Sequence, residues 1–247
     1  MRGTGVDGCA GGWFFVQLEP HSYRHGVVTD LSALANEVSP PERLFIDMPI
    51  GLADAPPAGR SCDRLARRVL GPRRSSVFAT PARATLAAAD YAQALTLNRA
   101  AVGTGLSKQA YHILPKIREV DELVRRDPHA VQVLYEAHPE VCFWALAGHT
   151  PMQAPKRTEA GFEERIAVLE QFWPGARLAV SAARRWSRGR GVARDDIVDA
   201  FVNALAASTR DLETFPDKPT LDAAGLPMRM CFGTNPTCTV GAGAHDR

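Results

Sequence analysis

The residues in this sequence with the clearest capacity for chemistry are the carboxylates of one late helix. At about 3.6 residues per turn, Asp195, Asp196, Asp199 and Asn203 fall in a stripe covering roughly a quarter to a third of the circumference. The other positions, Ile197, Val198, Ala200, Phe201, Val202, Ala204, Leu205, Ala206 and Ala207, are apolar. A helix apolar almost all round packs inside a domain, so its carboxylates face something other than bulk water. Like charges held there need a cation or a proton between them. Helix capping accounts for Asp195, and attraction to the positive N-terminal dipole suits Asp196. Neither explains Asp199, one turn further in and aligned with Asn203.

Three more acids sit where acids are uncommon. Asp7 lies inside an apolar strand, with a turn residue before Gly8 as the simpler reading. Asp47 interrupts Leu44-Phe45-Ile46-Asp47-Met48-Pro49-Ile50, where it could instead cap the turn at Pro49. Glu136 closes the apolar run from Ala130, where an ordinary solvated strand end is the alternative. Together these acids suit a hard cation, Mg²⁺ or Mn²⁺, which takes carboxylate oxygens and keeps open water positions. Arg73-Arg74-Ser75-Ser76 offers two guanidinium groups and hydroxyls to a phosphate, or is a polar loop after Gly71-Pro72. Ser75 has no base nearby in sequence, which weakens nucleophilic catalysis. His138, before Pro139, serves better to order a strand-to-helix turn than as an acid or ligand. Lys116 and Glu119, three apart on a helix, read as a surface pair, and Trp13 and Trp144 as packing.

These side chains need elements to hold them. Gly5 to Leu18, with a glycine cluster between apolar stretches, reads as a hairpin, and Tyr23 to Val28 as a third strand. Leu31 to Val38 has helical spacing with Asp30 or Ser32 as cap. Leu44 to Ile50 is a buried strand with Asp47 near its end. Arg60 to about Asp127 is a helical insertion, with helices over Asp63 to Leu70 and Ser107 to Arg126. Ala130 to Glu136 reads as a strand, and Glu140 to Leu146, Glu163 to Phe172, Ala176 to Arg185 and Asp195 to Arg210 as helices. The order argues for a mixed sheet covered on both faces, with ligands gathering at strand ends.

With 247 residues, 45% hydrophobic and 23% charged, the chain suits one α/β domain, about 1–232, with an insertion at about 53–128. Residues 233–247 read as a mobile tail. No apolar run approaches the roughly 18 residues that span a bilayer, and the N-terminal residues lack a signal-peptide pattern, so the cytoplasm is expected. The five cysteines, Cys9, Cys62, Cys142, Cys231 and Cys238, are scattered, without a C-x-x-C pair. Net charge is only +2, but six arginines face one acid between Arg60 and Arg74, and five face none between Arg184 and Arg194. Such blocks are phosphate footprints or solvated helix faces.

Five separated stretches carry a resemblance: Gly5 to Trp13, Ile46 to Leu52, Gly71 to Phe78, Glu136 to Glu140 and Asp195 to Ala200. Together, in order, they resemble the DUF429 family, predicted nucleases of ribonuclease H-like fold. The resemblance implies a three-layer α/β fold whose five-stranded mixed sheet has its second strand antiparallel. It also implies that Asp7, Asp47, Asp196 and Asp199 bind metal, with Glu136 as an added candidate. The leading expectation is a metal-dependent phosphodiester hydrolase, a nuclease, with Arg73, Arg74 and Ser75 on the substrate phosphate. Paired ions roughly 3.5 to 4 Å apart would activate water and stabilise the leaving oxygen. Its substrate would be nucleic acid or a small phosphoester. The alternative is a non-catalytic nucleotide or phosphate-ligand binding protein on the same fold. A relative of the sugar kinases and actin ranks last, because the chain lacks room for their paired domains and has no G-x-x-x-x-G-K-[ST] loop.

Overall fold

The computed structural model describes residues 2–40, 42–56 and 59–236. Apolar runs punctuated by glycine produce the first two strands, β1 (Gly3–Cys9) and β2 (Gly12–Leu18), which pair antiparallel around the Ala10-Gly11 turn. Strand β3 (Tyr23–Val28) extends the ribbon antiparallel to β2. Helix α1 (Leu31–Asn36) starts where the Asp30 carboxylate accepts the Ser32 N–H at 2.8 Å. Strand β4 (Arg43–Ile46) then lies parallel to β1, and β5 (Leu134–Glu136) parallel to β4. The result is a five-stranded mixed sheet in the order β3-β2-β1-β4-β5.

Between β4 and β5 the chain is helical: α2 (Ser61–Leu70), α3 (Tyr91–Val102), α4 (Lys108–His112), α5 (Leu114–Arg126) and α6 (Pro128–Val133). A 3-10 turn over Gly71–Ser76 carries Arg73. After β5 come α7 (Pro139–Leu146), α8 (Glu159–Phe172), α9 (Ala176–Trp186) and α10 (Arg194–Ala207). Strands β6 (Glu213–Phe215) and β7 (Met230–Phe232) form a separate two-stranded ribbon.

Two apolar cores cover the two faces. Phe14, Val16 and Phe45 pack with the buried sides of α7 to α10, while Val6, Trp13, Phe15 and Ile46 pack with α1, α5 and α6. No described helix is long and apolar enough to cross a membrane.

Three expected elements differ. The strand expected from Leu44 to Ile50 ends at Ile46, and Asp47 begins a bend ahead of Pro49. Only Leu134 to Glu136 of the anticipated strand from Ala130 is extended. Upstream, Asp127 accepts the His129 N–H at 2.9 Å and Pro128 stands in the first turn, so residues to Val133 form α6. The helix expected from Ser107 to Arg126 is broken at Ile113. Pro115 has no N–H for the Tyr111 carbonyl, so α5 begins anew there. The tail beyond residue 236 lies outside the described residues, as does Cys238.

Helix α10 lies directly across β1, and the sequence dictates how closely. Alternation along β1 puts Gly3, Gly5 and Asp7 on one face. A Cβ at Gly3 would stand 2.5 Å from the Ala204 carbonyl oxygen, and one at Gly5 would collide with the Ala200 and Ala204 backbone. The two glycines, against the small residues Ala200, Ala204 and Ala207, let helix and strand backbones touch. The next residue on that face is Asp7, which meets the N-terminal half of α10.

Candidate functional site

That contact brings the acids together. Asp7 and Asp199 face one another across the β1–α10 seam. Asp47 joins them because β4 is parallel to β1 and its own N–H donates to the Val6 carbonyl at 3.2 Å. All three line one cleft of about 530 Å³ at the strand ends. Asp199 is 1% and Asp7 8% exposed, while Asp47 is half-buried. The Gly8 N–H donates to Asp7 Oδ1 at 2.8 Å.

Burial is the largest cause holding all three carboxyls above their ordinary range, and each also feels neighbouring acids. Asp7 is raised well above it, with repulsion from Asp47, Asp199 and Asp196 adding to burial. Asp47 is raised by burial and Glu140 against the pull of His138 and Lys156. Asp199 is pushed up to about 6 by burial, with Lys156 opposing. Lys156 is the cation in closest contact: its Nζ donates to Asp199 Oδ2 at 2.6 Å and stands 3.6 Å from Asp195 Oδ2. Burial opposes the charge on Lys156, but Asp199, Asp7 and Asp47 hold its ammonium well above the usual lysine range.

The donor set fits a hard divalent cation. It consists of carboxylate oxygens from three separate elements. Asp199 Oδ1 is buried without a hydrogen-bond partner among the described residues, as is Asn203 Oδ1 one turn along α10. Buried acceptors left unpaired are costly unless an ion or water meets them.

Several expected site residues are elsewhere. Glu136 is not in the cleft. The β4–β5 register pairs it with Ile46, one residue before Asp47, and it lines a small adjoining cavity with Asp47 and His138. There Arg60 grips it, Nη1 on Oε2 and Nη2 on Oε1, both at 2.6 Å, and the Ile50 N–H donates to Oε2 at 2.7 Å. Cys62, Asp63 and Glu136 have ligand atoms within 4.8 Å of one another, a spacing that could hold a metal. The guanidinium of Arg60 fills that position instead, with Nη2 2.6 Å from Asp63 Oδ1. Burial raises the Glu136 carboxyl to about 7 despite Arg60.

Asp196 does not line the cleft either. Its Oδ2 accepts the Ala193 N–H at 2.8 Å and caps α10, although its charge still reaches Asp7. Asp195, read as the cap, instead meets Lys156 and, at 3.5 Å, Arg157. Arg73 and Ser75 line the cleft, and Arg73 Nε is buried without a partner among the described residues. Arg74 is exposed and lies outside the lining.

His138 orders its turn, as expected: Nδ1 accepts the Glu140 N–H at 3.2 Å, leaving Nε2 to donate to the Ser76 carbonyl at 3.3 Å. Lys116 and Glu119 are not a surface pair. Lys116 donates to the Gly12 carbonyl at 2.6 Å and sits 4.2 Å over the Trp13 ring, whose Nε1 donates to Glu119 at 2.8 Å.

Sequence reasoning missed Lys156 and Glu140. Glu140 lines the cleft; Arg165 holds its Oε1 at 2.5 Å, while Oε2 is buried without a partner among the described residues. Its signal was present, because Pro139 starts a helix and puts Glu140 in the first turn, facing the interior. Lys156 lies in a loop without periodicity, and nothing local marks it.

The fold and site thus define an α/β protein with a mixed five-stranded sheet and a cleft floored by three carboxylates. Residues 5–221 match the family described as "Protein of unknown function (DUF429)", and the chain belongs to that family. No curated protein and no solved structure matches it.

Proposed function

We propose that this protein is a metal-dependent phosphodiester hydrolase of ribonuclease H-like fold, acting as a nuclease. The observation that carries the reading is the convergence of Asp7, Asp47 and Asp199, from two strand ends and one buried helix, in a single cleft. The fold assignment is supported by the strand order β3-β2-β1-β4-β5 with β2 antiparallel to its neighbours. Buried carboxylates that repel one another are poor structural elements and good cation ligands.

Asp7, Asp47 and Asp199 would hold Mg²⁺ or Mn²⁺. Bound there, a divalent ion lowers the pKa of water and offsets charge developing on a phosphoryl oxygen. The chain's own residues do the rest. Arg73 and the Ser75 hydroxyl, on the cleft wall, orient the phosphate. Arg157, 86% exposed at its side chain, supplies positive charge at the mouth. The low exposure of Asp7 and Asp199 limits competing water and strengthens their field. The four described cysteines are buried free thiols, which fits the cytoplasm as the proposed compartment.

Hydrolysis of a labelled single-stranded oligonucleotide and of a small phosphodiester, with Mg²⁺, Mn²⁺ or chelator, tests this reading. Wild type should cleave at least one substrate only with metal, and Asp199→Asn should not. A second reading, a non-catalytic phosphate-ligand protein, is favoured by the Lys156–Asp199 ion pair, which partly neutralises the floor without metal. Metal-independent phosphate binding with no cleavage would select it.

A further inference from the structure

The position of Lys156 raises a question that the hydrolase reading leaves open, because an ammonium already stands where a divalent ion is expected. We propose that Lys156 is an internal counter-cation that competes with divalent metal for Asp199, so that metal binding and release of the Lys156–Asp199 ion pair are one linked event. The proposal rests on the metal-binding reading of the cleft and assigns it a built-in exchange.

Three observations support it. The Nζ contact is direct, 2.6 Å from Asp199 Oδ2, so an ion taking that oxygen must meet or expel the ammonium. Two cations sharing one carboxylate oxygen in a half-enclosed cleft repel strongly. Second, the acids are under-neutralised: Asp199 Oδ1 remains buried and unpaired among the described residues although Lys156 meets its Oδ2, and so does Oε2 of Glu140, a fourth carboxyl in the cleft. Lys116, the other lysine lining the cleft, is tied to the Gly12 carbonyl and Trp13.

Third, the geometry lets the side chain move while its backbone stays. The loop before α8 is fixed: the Gln153 and Ala154 N–H groups donate to Glu164 at 2.7 and 3.0 Å. Arg165 donates to the Ala154 carbonyl at 3.2 Å, and the Thr158 hydroxyl to the Pro155 carbonyl at 2.8 Å. The Lys156 side chain itself is 35% exposed, and its flexible stem allows the ammonium to leave Asp199 without unfolding the loop. Once released, it stays beside the cleft mouth near Arg157, placed to meet a substrate phosphate.

The test is Mn²⁺ binding by calorimetry to wild type, Lys156→Met and Lys156→Arg, with thermal melts of each in chelator. Lys156→Met should bind Mn²⁺ about ten-fold more tightly than wild type, since no cation must be expelled. Its metal-free melt should fall, because the floor loses its counter-charge. Lys156→Arg should stay near wild type in both. A direct probe on unaltered protein is acetylation of lysines by acetic anhydride, read by mass spectrometry. Lys156 should be slow to react without metal and faster with Mn²⁺, the reverse of ordinary ligand protection. Equal or weaker Mn²⁺ binding by Lys156→Met, or slower acetylation with Mn²⁺, overturns the exchange while leaving the metal site standing. If neither wild type nor Lys156→Met binds Mn²⁺, the metal reading falls and takes the exchange with it.

Discussion

Replacing Asp7 with asparagine should separate stability from chemistry. The asparagine side chain retains an Oδ1 to accept the Gly8 N–H, so the β1 end loses no hydrogen bond. What it loses is a charge whose ionised form is disfavoured by burial and by Asp47, Asp199 and Asp196. Relief of this repulsion should leave the metal-free fold unchanged or stabilise it modestly, by about 1 kcal/mol, the usual size of a single-substitution effect. In a chain of this size that is about 2 to 4 °C in Tm. Metal reverses the ranking. Mg²⁺ at about 100 times its Kd should stabilise wild type by about 2.7 kcal/mol, or about 5 to 10 °C, and Asp7→Asn should lose most of that shift. The assay is a thermal melt of both proteins with chelator and with Mg²⁺ or Mn²⁺. An Asp7→Asn protein that melts well below wild type in chelator yet keeps the full metal shift would refute the reasoning, making Asp7 a structural residue.

The raised carboxyls also set a pH dependence. Asp7, Asp47, Asp199 and Glu136 all have folded pKa values above their ordinary ones, so each contributes stability at low pH that is lost as pH rises through its folded value. Metal-free Tm should therefore rise as pH is lowered from about 7.5 to about 5, and saturating Mn²⁺ should shrink that rise; a flat profile in chelator contradicts the assignment. Arg60→Met should destabilise by about 3 to 5 kcal/mol in urea unfolding, because it strands the buried acids Asp63 and Glu136, and should leave any measurable metal shift in Tm intact. Arg73→Ala should weaken phosphate-ester binding and reduce its salt dependence, whereas Arg74→Ala should do neither. Equal effects of the two would place the phosphate outside the cleft.

Much of the frame was legible because its signals are local. The Gly8-to-Gly12 turn, the Asp30 cap and the apolar surround of Asp199 each follow from a few neighbouring residues, and the strands and buried helix form where those signals lie. Glu136 shows where local reading stops. Its apolar strand suggested the cleft, but Arg60, which reaches it from a distant segment, takes both its oxygens, and Glu140, four residues on, supplies the acid at the cleft instead. Gly5 was read only as the start of the hairpin, and Gly3 lay outside it. Their larger role, admitting the α10 backbone, depends on which helix crosses β1, and that contact spans nearly the whole chain. Lys156 was illegible for the same reason: an isolated lysine in a loop acquires meaning only when α8 and α10 fix the loop beside Asp199.

The most direct test of the central claim is a crystal soaked in Mn²⁺ and measured at the manganese absorption edge. The account predicts an anomalous peak in the cleft at coordination distance from Asp7 and Asp199, with Asp47 completing the site and Lys156 Nζ withdrawn from Asp199. A cleft without manganese, with Lys156 still on Asp199, or a peak only at Cys62, Asp63 and Glu136, would contradict it.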